Sequence, residues 1–158
     1  MSAPVRVALV SCSKLKGPRE APARELYRSP LFRVSLAWAE ATHENVRIVS
    51  ALYYMVRPDQ RIEPYDRTLR MMKPGERCAW GQRAIERLAA EFPGQALALS
   101  LLAGDYYRSA LEGPALARGW KVESPLGNAN IGRRIRKLNT WIEELQAAAR
   151  ANRCEPTS

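Results

Sequence analysis

Val7-Ala8-Leu9-Val10-Ser11-Cys12-Ser13-Lys14-Leu15-Lys16 decides how the rest of the chain is read. Four apolar residues run directly into a small polar loop that carries a thiol, two hydroxyls and two ammonium groups. With Pro4 ahead of it, Val5 to Val10 reads as a strand buried on both faces, as strands inside parallel sheets are. The loop after it is either an ordinary exposed connection or the floor of a site that grips an anion. It is neither a GxxxxGK[ST] loop nor a GxGxxG turn, so no nucleotide-binding fingerprint decides between these. Backbone amides and Lys14 could still hold a phosphate or a base carbonyl.

Working outward, Ser29-Pro30 opens a helix, Ser as the cap and Pro in the first turn. Leu31, Val34, Leu36, Trp38 and Ala41 make it apolar over much of its surface. Asn45 to Leu52 is a second strand, and Pro74 to Phe92 a helix stopped by Pro93-Gly94. Ala96 to Ala103 is a third strand, Tyr106 to Leu116 is helical, and Trp120 to Glu123 is a short fourth strand. An amphipathic helix runs from Ile131 to about Asn152. Tyr53 to Lys73 has two prolines and no period, and reads as a long irregular connection. This alternation predicts a three-layer α/β/α domain with a mainly parallel, four-stranded sheet. It spans residues 1–152, and 153–158 form a flexible tail. Ligands of such sheets sit beyond the carboxyl ends of the strands. That rule gathers Ser11–Lys16, Ala51–Asp66, Gly104–Tyr107 and Ser124–Asn130 at one rim.

The 158 residues are 46% apolar, which fits a single globular core. No apolar run reaches the ~20 residues that cross a bilayer, and the first ten residues lack a signal-peptide layout. A cytoplasmic protein without a membrane partner is expected. Cys12, Cys78 and Cys154 are widely spaced and His43 is the only histidine, so neither a zinc site nor a disulfide framework is expected. No metal or other cofactor follows from the sequence. Lys and Arg outnumber Asp and Glu by 25 to 16, a formal charge of +9. Such an excess is the electrostatic footprint of a nucleic-acid or phosphate binder, or of a merely soluble basic protein.

The residues that could carry chemistry fall in the predicted loops. Arg57-Pro58-Asp59-Gln60-Arg61-Ile62-Glu63-Pro64-Tyr65-Asp66 is the densest cluster of charge, stiffened by its prolines. Glu63 and Asp66 could position a water or stabilise a cationic transition state, or else balance nearby arginines. Asp105 reads first as a helix cap. Of Tyr106 and Tyr107, one could stack on a base and one belongs to the core. Cys12 reads as a small buried residue rather than a nucleophile, since no histidine neighbours it in sequence. Arg133, Arg134, Arg136 and Lys137 crowd a helix start, where cations oppose the helix dipole. A phosphate backbone would compensate them, as would simple solvation. His43 reads as a helix-end residue without a role.

The stretches V-A-L-V-S-C-S-K, A-R-E-L-Y-R-S-P-L-F, S-A-L-Y-Y-M-V-R-P-D-Q-R-I-E-P-Y-D-R-T-L, L-A-G-D-Y-Y and S-P-L-G-N-A-N-I-G span nearly the whole chain. They resemble a family of small bacterial and phage proteins, itself similar to the uracil-DNA-glycosylase-like α/β domains. Those domains include ones attached to archaeosine-forming tRNA enzymes. Ser124-Pro125-Leu126 is similar to the Ser-Pro-Leu loop that glycosylases press into the minor groove. The chain departs from these patterns in three places. Tyr54 replaces the glycine of the family's Y-G-L-V. Glu63-Pro64-Tyr65 follows the second strand, whereas the glycosylase Asp-Pro-Tyr follows the first. Val122-Glu123 stands where the glycosylase has histidine.

The resemblance implies an N-glycosylase that hydrolyses the base–sugar bond of a modified or damaged base in nucleic acid, in DNA rather than RNA. Asp66 or Glu63, with Asp105 in reserve, would stabilise the oxocarbenium-like sugar. Ser11, Cys12, Ser13, Lys14, Ser124 and Asn128 would hold the base or a phosphate, and Tyr65, Tyr106 and Tyr107 would stack on an extruded base. Lys16, Arg133, Arg134, Arg136 and Lys137 would contact the backbone. Lys14 could act as an amine nucleophile. A monomer serving DNA repair or antiviral defence is the corresponding biological expectation. Two alternatives remain at this point: a non-catalytic nucleic-acid or nucleotide-binding module, and a hydrolase of free nucleosides or nucleotides.

Overall fold

The computed structural model describes residues 3–14 and 16–154, the side chains of 153 and 154 excepted. In chain order the elements are β1 (Val5–Ser11), β2 (Ala21–Pro22), α1 (Ala23–Leu26), α2 (Pro30–Thr42), β3 (Asn45–Ser50), β4 (Tyr54–Val56) and β5 (Arg61–Ile62). A 3-10 turn (Leu69–Met71), α3 (Pro74–Glu91), β6 (Leu97–Leu102), α4 (Asp105–Ala117), β7 (Lys121–Glu123) and α5 (Ile131–Cys154) follow.

β1 is central because every residue from Val7 to Val10 is apolar and buried. Val7 and Leu9 enter one core with Leu97, Leu99, Trp80, Ile85 and Leu111, beneath α3 and α4. Ala8 and Val10 enter the other with Ile48, Phe32, Leu36 and Leu138, beneath α2 and α5. The alternation of side chains along one strand thus builds both halves of a three-layer α/β/α molecule. β1 pairs in parallel with β3 on one side and β6 on the other, and β6 pairs in parallel with β7. The carboxyl ends of all four strands therefore share one rim.

The sheet has five strands, in the order β4-β3-β1-β6-β7, not the four expected. The extra member, β4, runs antiparallel to β3 at the edge. Its three residues are too few to show a period, and it lies inside the stretch read as irregular. That stretch also holds β5, which pairs with β2, and the 3-10 turn. Of the expected tail 153–158, Arg153 and Cys154 continue α5, while 155–158 lie outside the described residues. No helix among the described residues is long and apolar enough to cross a membrane.

Local chemistry sets the element boundaries. Ser29 Oγ accepts the Phe32 amide proton at 3.1 Å and Pro30 fills the first position of α2, as the Ser-Pro pair predicted. Tyr54 occupies the left-handed region at φ 66°, a conformation that suits glycine. Such a backbone costs a bulky residue about 1–2 kcal/mol. Its ring repays this by stacking on Trp80, 6.1 Å between centroids at 15°, and by lying under the Arg87 guanidinium at 4.4 Å.

Ser50, fully buried at the end of β3, closes the turn into β4. Its Oγ accepts the Leu52 and Tyr53 amides at 3.3 and 3.0 Å and donates to the Tyr65 hydroxyl at 2.6 Å. The Trp80 indole N–H donates to the Ser50 carbonyl at 3.2 Å. Next to Trp80, Gly81 lets α3 and α4 approach closely: a Cβ there would stand 2.0 Å from the Ala110 carbonyl oxygen.

Two stability predictions follow from these contacts. Gly81→Ala should lower unfolding stability by about 1–3 kcal/mol or more, since the obstructing atom is backbone. Ser50→Ala should cost about 1–3 kcal/mol by removing the acceptor of two turn amides and the donor to the Tyr65 hydroxyl. Urea titration of both variants checks this, and a midpoint equal to the parent's would overturn the corresponding packing argument.

Candidate functional site

A cleft of about 290 Å3 opens at the rim where the parallel strands end. That is ample for a nucleobase or sugar and at the lower end of ligand-site sizes. Its floor is the loop after β1, Ser11 to Lys14 with Lys16. One wall is Arg67 to Arg70, another is Gly104 to Tyr107, and Leu31, Ile131 and Arg134 close it. Five cationic side chains (Lys14, Lys16, Arg67, Arg70 and Arg134) line it against one carboxylate, Asp105.

The floor is fastened by hydrogen bonds and rings. The Cys12 amide donates to the Val49 carbonyl at 3.0 Å, continuing the β1–β3 ladder one residue past the strand. Cys12 Sγ lies 3.1 Å from the Tyr107 hydroxyl. Ser13 Oγ accepts the Ser29 amide at 3.3 Å, tying the loop to the start of α2. Ser50 donates to the Tyr65 hydroxyl, and the Tyr65 and Tyr27 hydroxyls share a further hydrogen bond at 2.7 Å. Lys16 rests on this aromatic pair, its Nζ 4.4 Å from the Tyr65 ring centroid and 5.8 Å from that of Tyr27. A bridge between Lys16 and Tyr27 fixes its backbone.

Burial governs protonation here. It pushes the Tyr65, Tyr107 and Tyr27 phenols up from their ordinary value, with the nearby Cys12 as the next contributor, so all three remain neutral donors. It also draws the Lys16 ammonium down, while Cys12 and Asp66 push the other way. Asp66 thus acts on Lys16 electrostatically, although its own side chain is exposed and does not line the cleft.

The walls come from the segment around the 3-10 turn and from the start of α4, and α3 backs both. Tyr107 packs edge-on against Trp80 at 5.5 Å and belongs to the core, whereas Tyr106 is 45% exposed at the cleft edge. Tyr106 also borders a second cleft of about 320 Å3, lined by Pro74, Arg77, Cys78 and Ser109. Arg77 donates to the Met72 carbonyl at 2.6 Å and to Leu69 at 3.4 Å, so it pins the segment that carries Arg67 and Arg70. Its guanidinium lies 4.9 Å from the Tyr106 ring centroid.

Asp105 does not cap α4, as was expected: Gly104 is the cap residue and makes no side-chain bond. Asp105 is the first helical residue and pairs with Arg108. Arg108 also reaches Asn128 Oδ1 at 3.1 Å, which joins the loop after β7 to α4.

The expected site residues divide into three groups. Ser11, Cys12, Ser13, Lys14, Lys16, Asp105, Tyr106, Tyr107 and Arg134 meet in the cleft. Tyr65 lies beneath Lys16, with Asp66 and Asn128 just outside. Glu63, Ser124, Arg133, Arg136 and Lys137 do not line it. Arg133 donates its amide to Asn130 Oδ1, the cap of α5, at 2.9 Å. Arg134 turns inward: it borders both the cleft and a small cavity of about 40 Å3 behind Cys12, with its Nε buried and unpartnered among the described residues.

Arg67, Arg70, Tyr27 and Ser50 were missed by sequence reasoning. The two arginines adjoin the I-E-P-Y-D stretch, so the charge density there was a usable signal; the buried hydroxyls had none. Among the described residues, no group of three or more His, Cys, Asp or Glu converges to hold a metal. His43 sits at the end of α2 away from the cleft, bonded to Thr42 at 2.8 Å and Ser100 at 3.2 Å.

Neither a search of curated proteins nor one of solved structures finds a match. Residues 7–140, which contain the floor and every wall of the cleft, match the model of one family, and on that extent the chain belongs to the family of unknown function DUF6884.

Proposed function

We propose that the chain binds a nucleic-acid strand across this cleft and hydrolyses the base–sugar bond of a modified base. The observation that carries the reading is the charge of the lining, five cations against one carboxylate, in a cleft of nucleobase size. Lys14, Arg67, Arg70 and Arg134 would engage phosphates, and the exposed face of Tyr106 would stack on a base. The second cleft beyond Tyr106 gives room for a flanking nucleotide.

Loss of a base leaves a sugar with oxocarbenium character, which a carboxylate stabilises. Asp105 is placed for that part because it is the carboxylate in the lining. Neither Asp66 nor Glu63 lines the cleft, although Asp66 acts on Lys16 electrostatically. The family resemblance supports a uracil-DNA-glycosylase-like fold and a DNA substrate. With it goes a cytoplasmic monomer acting in repair or against foreign DNA.

A second reading has its own observation. Asp105 is already paired with Arg108, which suits a structural carboxylate and a binding module without catalysis. One experiment separates the two. Duplexes carrying single modified bases are incubated with the protein and then treated with hot alkali. Base-specific strand breaks that fall about a hundredfold or more in Asp105→Asn, with affinity kept, are expected of the glycosylase. Tight binding with no breaks would leave the module.

Affinity should also depend steeply on salt. If all four outer cations meet phosphates, log Kd should rise with log salt with a slope of about 3.6. A flat dependence would remove nucleic acid as the ligand.

A further inference from the structure

We propose that Lys16 is an amine nucleophile that attacks C1′ of a base-free deoxyribose held in the cleft, forms an imine with it and cuts the strand on its 3′ side. This rests on the reading that the cleft takes a nucleic-acid sugar, but not on the protein removing the base itself.

The two lysines of the loop are differently placed. Lys14 is exposed, and its ammonium is free to stay hydrated. Lys16 is partly buried, and its ammonium is set against the faces of Tyr65 and Tyr27 at 4.4 and 5.8 Å while still lining the cleft. Among the described residues the ion pairs are made by Arg24, Arg47 and Arg108, and none fixes Lys16. Its backbone is held by the bridge to Tyr27 and by the Gly17 amide, which donates to Leu26 at 2.8 Å. A side chain on a fixed root, backed by rings and open on one side, is presented to whatever occupies the cleft.

A lysine attacks only as the free amine, and desolvation is how proteins reach that form. Burial works toward it, and the cations Lys14, Arg67, Arg70 and Arg134 line the same cleft. The Tyr65 ring, Asp66 and Cys12 work against the free amine. The same cations suit the reaction, because its leaving group is a phosphate.

The chemistry balances without a cofactor. The Lys16 Nζ lone pair forms a bond to C1′ of the ring-opened aldehyde, a proton passes from nitrogen to the former carbonyl oxygen, and that hydroxyl takes a second proton from solvent and departs as water to leave a protonated imine. Water then takes a proton from C2′. Those electrons form the C2′–C3′ double bond, and the C3′–O bond breaks to release the downstream strand with its 5′-phosphate. Hydrolysis of the imine returns the lysine.

The test supplies the abasic site ready made. Full-length protein is mixed with a labelled duplex bearing one aldehydic abasic site in the presence of sodium borohydride, which reduces an imine to a stable amine. A covalent protein–DNA adduct is expected, mapped by peptide mass to Lys16. Adduct should be lost in both Lys16→Gln and Lys16→Arg and kept in Lys121→Gln, a lysine at the start of β7 that does not line the cleft. Each variant is also assayed for folding by its urea midpoint and for affinity to a tetrahydrofuran abasic analogue, which has no aldehyde.

Adduct formation undiminished in folded Lys16→Arg would overturn the proposal. So would a parent protein that binds the analogue but is not trapped. A parent that fails to bind the analogue would sink both this inference and the cleft reading beneath it. Trapping at Lys16 without release of any modified base would keep this inference and sink the glycosylase.

Discussion

A serine hydroxyl that never meets water orders the functional rim. Ser50 Oγ closes the turn after β3 by accepting two amides and spends its single proton on Tyr65. The Tyr65 hydroxyl in turn shares a hydrogen bond with that of Tyr27. In a medium of low dielectric an unmade bond of this kind costs more than a made one gains, so the three hydroxyls are held together. The ring of Tyr65 is thereby oriented, and Lys16 lies on that ring. The depth and exposure of one ammonium in the cleft thus trace back to a residue that does not touch the cleft.

The net charge becomes informative once it is resolved in space. Away from the rim, arginines are matched: Arg24 by Glu40 and Asp59, Arg47 by Glu91. Hydrogen bonding to Glu40, and then Asp59, pushes the Arg24 pKa up further still. At the cleft the proportion reverses, and the sole lining carboxylate is itself paired with Arg108. Like charges gathered around a concave, partly desolvated surface repel one another in the free protein, and an anion relieves that cost on binding. A charge of +9 spread evenly would predict weak attraction to any polyanion. Five cations against one carboxylate around a single concave surface predict a site.

What could be read from the chain without coordinates was whatever depends on near neighbours. The buried β1, the Ser29-Pro30 helix start and the Pro93-Gly94 stop are local signals and appear within a residue or two of where they were expected. Topology followed, because β-α alternation restricts the sheet to few arrangements and brings the strand ends together. The edge strand β4 escaped because its conformation rests on Trp80 and Arg87, about thirty residues away in sequence. The same reason hid the difference between Lys14 and Lys16: two lysines in one loop look alike until Tyr27 and Tyr65 are placed beside one of them. Asp105 was misread as a cap because its partners, Arg108 and through it Asn128, belong to a helix and a loop whose meeting only the fold arranges.

Trp80 shows why the site and the core cannot be varied separately. Its indole donates to the backbone of Ser50, its face stacks with Tyr54, and its plane receives the edge of Tyr107, whose hydroxyl meets Cys12. One side chain on α3 therefore touches the turn after β3, the edge strand and the first turn of α4. The next residue, Gly81, is where α3 presses against the α4 backbone. Close-packed helices slide in discrete steps rather than deform smoothly. A shift of α4 along α3 would carry Asp105, Tyr106 and Tyr107 together and break the Cys12 contact in the same movement. The cleft is in this sense the exposed end of the core, and its geometry is as stiff as the packing of α3 against α4.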